Sequence, residues 1–167
     1  MVPLQPSVTM SPPSASIDNS APARRQRWLS VLAQAPAHRV AKLWDGVQPA
    51  FSYVLLLQPE TGLVMVKGRI SGNGSPFCVG EMTATRAAVR LDSGEVGIGY
   101  VGGRSARHAE IAAAIDALGQ RPEWQDRLEQ LVIGPLEAEA QARRNALAAR
   151  AAATKVDFFT VAREGGA

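Results

Sequence analysis

The chain has 167 residues, 46% hydrophobic and 20% charged, with a formal charge of +3, which suits one soluble domain with a genuine core and excludes a highly charged, coreless chain. Aromatic residues make up only 5%, so the core must be built from small and aliphatic side chains. The mild basicity lacks the dense Lys/Arg stripe and exposed aromatics of a nucleic-acid binder, so no nucleic-acid partner is expected.

Residues 1–20 are rich in Pro, Ser and Thr and bury too little to offset ordering entropy, so a disordered tail is expected there. Met10 is an alternative start. The segment has no positive n-region and no continuous apolar stretch, so it does not read as a signal peptide. One domain is expected over residues 21–167. Trp28, Val31, Leu32 and Ala35 fall at i, i+3, i+4 and i+7, one face of a helix. Pro36 breaks that pattern, and Val40, Leu43, Trp44 and Val47 begin a second, ended by Pro49.

Strand texture follows. Phe51 to Leu57 is an apolar run closed by Pro59-Glu60-Thr61-Gly62, which suits a turn. Leu63 to Ile70 resumes and ends at Ser71-Gly72-Asn73-Gly74-Ser75. Phe77 to Leu91 is extended but changes face near Gly80, which predicts a bend or bulge. Asp92-Ser93-Gly94 leads into Val96, Ile98 and Tyr100. Short turns without crossover helices predict an antiparallel meander of about four strands. Ser105 can cap a helix running to Leu118 and closed by Gly119. Pro122 opens another, stopped by Gly134-Pro135, and an Ala-rich helix spans about Leu136 to Ala153. Val156, Phe158 and Phe159 form an apolar terminal segment that either folds back on the domain or docks onto a partner, for which they are the candidates. The fold class is therefore α+β: an N-terminal helical pair, the meander, C-terminal helices and an apolar docking tail.

No Ser-His-Asp arrangement, paired carboxylates or nucleotide fingerprint can be assembled from these residues. Cys78 is the single cysteine and only His38 and His108 stand beside it, so no metal site is expected. A reducing, cytoplasmic setting fits. No run approaches the length of a membrane span. The stretch Gly102-Gly103-Arg104-Ser105-Ala106-Arg107-His108 offers glycines, a helix start and two guanidinium groups. Gly103, Arg104 and Arg107 are thus candidates for holding an anion, against the plainer reading of a strand-to-helix turn with solvated arginines. Arg86 and Arg90 share one side of a strand and are further candidates, or simply its exposed face. His108 shares a helical face with Ile111, Ala112 and Ile115, which favours a hydrogen-bonded core histidine over a catalyst. It remains the weak catalytic candidate. A free-standing nucleotide- or nucleic-acid-binding module is a competing reading, resting only on the basicity and the Gly-Gly-Arg turn.

The order of segments resembles one known family. Arg25-Gln26-Arg27-Trp28-Leu29-Ser30-Val31-Leu32-Ala33 is similar to the amino-terminal signature of the carbon–phosphorus lyase G subunits, PhnG. Glu60-Thr61-Gly62-Leu63-Val64, Thr85 to Leu91, Gly103-Arg104, His108-Ala109-Glu110, Ile115 to Leu118 and Lys155 to Thr160 follow in the same order. The resemblance implies a subunit that joins the H, I and J subunits, the I subunit most directly, in a core complex for phosphonate catabolism. It implies a transferase reaction in which a phosphonate displaces adenine from ATP, giving α-D-ribose 1-methylphosphonate 5-triphosphate. ATP is then a co-substrate of the complex, with no cofactor held by this chain alone. No established catalytic residue is carried over. A purely structural subunit of the same complex is the alternative.

Overall fold

The computed structural model describes residues 21–47, 51–70 and 74–154. The expected tail over 1–20 and the docking segment with Val156, Phe158 and Phe159 lie outside the described residues. Helices α1 (Ala21–Gln34) and α2 (Ala37–Val47) flank Pro36, which cannot continue the first helix but leaves its carbonyl to accept from the Val40 amide at 3.2 Å. The predicted apolar stripes face inward: Trp28, Leu32, Val40 and Val47 are buried, with Leu43 and Trp44 packed beside them.

Three strands follow rather than four: β1 (Tyr53–Gly68), β2 (Phe77–Leu91) and β3 (Val96–Gly102), antiparallel in the order β1-β2-β3. The turn expected at Pro59 to Gly62 is absent, and the two expected strands are one. β1 is an edge strand, where a proline need not donate to a ladder. Leu57 pairs with Ala88 and Glu60 with Arg86, so Gln58 and Pro59 together oppose Ala87. That two-against-one count is a β-bulge, which absorbs the proline without ending the strand. The irregularity expected near Gly80 is present: Val66 pairs with Gly80 but Lys67 with Cys78, leaving Val79 as the extra residue. The β2–β3 turn is the predicted one, with Gly94 at φ +108°, a backbone that favours glycine.

Alternation then decides which face of the sheet is covered. Ala87, Val89, Gly97, Gly99 and Val101 are buried, while Arg86, Arg90, Val96, Ile98 and Tyr100 face outward. Helix α3 (Ala106–Leu118) lies on the covered face and is buried along nearly its whole length. Its approach is close because β3 presents glycines there. A Cβ on Gly97 would collide with Ala113 O and Ala117 N, and one on Gly99 with Ala109 O and Ala113 N. The Ala-rich composition of α3 is the other half of that fit: small residues on both elements let backbone approach backbone.

The last helical stretch corrects another expectation. Gly134-Pro135 does not stop a helix. Helix α4 (Pro122–Leu128) passes through a π-helical turn (Glu129–Ile133) directly into α5 (Gly134–Ala153). The Gly134 amide donates to Glu129 O, five residues back. Pro135 would disrupt a regular α-helical ladder, and the wider turn before it accommodates the missing donor and the ring. The extra residue also has a geometric effect. Eight residues of plain α-helix would set Glu129 and Glu137 about 80° apart, whereas here both carboxylates reach the Arg27 guanidinium.

Candidate functional site

The predicted anion stretch forms the corner between β3 and α3. Ser105, extended at φ −98°, accepts a hydrogen bond from the His108 amide and caps α3 as expected. Gly103 has φ +93°, and a Cβ there would meet open space. Its glycine is therefore accounted for by backbone conformation rather than by close approach of a neighbour. The corner is tied to the sheet by threonines. The Thr85 hydroxyl donates to Gly103 O at 2.7 Å, so the Thr61 hydroxyl, 3.1 Å away, must donate to Thr85. The Gly103 amide donates to Thr83 O at 2.9 Å.

Arg104 and Arg107 are exposed at this corner, and Arg107 reaches Asp45 at the end of α2 at 3.5 Å. Arg86 and Arg90 share one face of β2, as the even spacing predicts, but it is the open face of the sheet. Arg86 pairs with Glu60 at 3.0 Å. The strand therefore sets Arg86 and Arg90 on the face opposite α3, while Arg107 stands on α3 itself. The four arginines do not share one surface.

His108 is almost fully buried. Its Nε2 lies 2.9 Å from Leu32 O, and a carbonyl can only accept, so Nε2 carries the proton. Burial lowers its pKa, with the Leu32 carbonyl opposing that effect. A neutral imidazole thus ties α1 to α3.

Two polar pairings escaped sequence reasoning. Asp116 is buried, receives Arg25 through two hydrogen bonds of 2.8 Å, and accepts the Ile98 amide from the outer edge of β3 at 2.9 Å. It sits in a cleft of about 620 Å³ whose walls include Trp28, Gly119, Gln120 and Gln125. Gly119 is required at that wall, since a Cβ there would lie 2.7 Å from the Trp28 ring. A signal existed: Asp116 interrupts an otherwise apolar run from Ile111 to Leu118. The second feature joins Tyr53 to Glu110 at 2.6 Å. Burial first, and then the Glu110 hydrogen bond, push the Tyr53 phenol up to about 12.

The most prominent surface is apolar. Beyond Ala84, where pairing with β3 ends, β1 and β2 continue as a two-stranded ribbon. Leu63, Met65, Ile70 and Val79 are 61–70% exposed on it, and Phe77 and Met82 nearly half exposed. Among the described residues no helix is long and apolar enough to cross a membrane.

Fold and surface together define a small α+β protein with a helix-covered core and an apolar strand ribbon that no helix of the described residues covers. The family model for phosphonate metabolism protein PhnG matches residues 23–164, and the chain belongs to that family. A relative from Rhizobium meliloti (strain 1021), alpha-D-ribose 1-methylphosphonate 5-triphosphate synthase subunit PhnG, is 40% identical over 149 residues. That match covers 87% of this chain and 93% of the relative.

Proposed function

We propose that this chain is a non-autonomous subunit of a synthase in which a phosphonate displaces adenine from ATP, giving α-D-ribose 1-methylphosphonate 5-triphosphate. The observation that carries this reading is the near full-length match, at 40% identity, to a subunit of that synthase. In the reaction a phosphonate oxygen forms a bond to the ribose anomeric carbon as the carbon–nitrogen bond to adenine breaks, so ATP is a substrate rather than a resident cofactor. The proposed partners are the H, I and J subunits of the carbon–phosphorus lyase core complex, the I subunit most directly, in the cytoplasm. The exposed ribbon supports a protein that works in an assembly, because such surfaces are seldom left to water.

Within that reading, Arg104 and Arg107 are the candidates for contact with an anionic substrate, being exposed beside a capped helix start. A specific observation favours the alternative, a purely structural subunit: the candidate arginines lie on different faces, and Arg86 and Arg107 already face Glu60 and Asp45. Reconstitution decides between them. Adenine release from ATP, dependent on phosphonate, is measured with the full set of subunits and with this chain omitted. Loss of turnover on omission supports the subunit role. Loss on Arg104→Ala/Arg107→Ala with the assembly intact supports substrate contact, and unchanged turnover assigns the chain a structural role. Full turnover without this chain overturns the proposal.

A further inference from the structure

We infer that the β1–β2 ribbon is the element on which an unlike subunit of the synthase docks, through an apolar surface rimmed by carboxylates. The inference rests on the subunit reading above and adds to it the place of docking and the chemistry of the partner. Both faces of the ribbon are apolar. Met65 and Val66 are neighbours in β1 and so point to opposite sides, yet they are 67% and 37% exposed. No helix of the described residues covers either side. A two-stranded ribbon is marginal by itself in water, and the part of β1 from Leu63 to Gly68, which runs past the end of the β2–β3 pairing, is poorly accounted for by this domain's own core. The edges are open as well: β1 is an outer strand along its whole length, and β2 becomes one past Ala84. A partner can therefore both pack on the faces and pair with an edge.

Charge selects the occupant. From Thr61 to Thr83 the chain carries Lys67 and Arg69 against the single acid Glu81. At the ribbon's base Arg86 is already matched by Glu60. A second copy would bring an excess of like charge to the same surface, with no equal set of acids to receive it. An unlike chain with acidic groups around an apolar centre meets both needs.

Cys78 lies on the ribbon, is exposed, and is the only cysteine of the chain, so its thiol reports coverage without any mutation. The full-length chain is co-expressed with the other synthase subunits, purified free and assembled, and timed for reaction with a maleimide. Labelling at least about tenfold slower in the assembly than in the free chain is expected. Leu63→Glu/Met65→Glu/Val79→Glu should lower co-purification by more than about tenfold. Leu147→Glu, an equally exposed leucine on α5, should leave it unchanged. Equal Cys78 reactivity in both states, or normal assembly by the folded triple variant, overturns the inference while the subunit reading stands. Protection of Cys78 in a self-associated form of the chain alone assigns the ribbon to a second copy and also overturns it. Failure of the unaltered chain to co-purify with any subunit overturns the subunit reading itself. If the triple variant does not fold, the labelling rates of the unaltered chain still decide.

Discussion

The two ends of the sheet use apolar residues in opposite ways. At the covered end, Ala87, Gly97, Gly99 and Val101 are small, buried and pressed against α3. At the bare end, Leu63, Met65, Phe77 and Val79 are larger and open to water. Burying large aliphatic groups stabilises a fold more than burying alanines, so a chain selected for its own stability would distribute them the other way. The difference indicates that the covered end holds the domain together, while the bare end keeps its apolar area for an interaction outside the domain.

Trimming one side chain at each end should separate the two most strongly. Ile115→Ala at the covered end, where the side chain is fully buried, should cost about 2–5 kcal/mol in denaturant unfolding. Val79→Ala on the ribbon should stay within about 0.5 kcal/mol. Similar losses at both sites would mean that the ribbon is packed within the domain. Next comes Gly99→Ala, an enlargement where α3 backbone already sits. It is expected to cost about 1–3 kcal/mol through displacement of α3, whereas Gly80→Ala on the ribbon, with nothing near its added Cβ, should be close to neutral.

The smallest effect is one of pH. His108 has a folded pKa lowered by burial from the ordinary 6.5. Below that value the unfolded chain binds more protons than the folded one, so stability rises with pH across the window and is lost as pH falls beneath about 6.5. Melting of the unaltered protein and of His108→Gln between pH 7 and pH 5 checks this. The stability advantage of the histidine form should shrink toward the acid end, and a constant difference would show that His108 does not titrate differently on folding.

What the sequence disclosed follows from the range of the interactions involved. Pro36, Ser105 and Asp92-Ser93-Gly94 act on their immediate neighbours, and each marks the boundary it was expected to mark. Pro59 and Gly134-Pro135 misled because their effect depends on context. The first lies in an edge strand with a bulge, and the second follows a π turn that absorbs the proline. In the candidate site, the shared face of Arg86 and Arg90 was legible from strand spacing. The Arg25–Asp116 pair was not, since its members are 91 residues apart and nothing local links them. Gly97 and Gly99 were readable as strand residues, but their purpose appears only when α3 is laid across them.

Amide hydrogen exchange on the free chain and on the assembled complex shows whether one end of the sheet is complete while the other awaits a partner. Amides of residues 61–70 and 77–83 should exchange quickly in the free chain and slow at least about tenfold on assembly. Those of Ala87 to Leu91 and of α3 should be equally slow in both. Unchanged exchange in the ribbon, with new protection confined to the helices, would contradict the account and move the interface to the other side of the molecule.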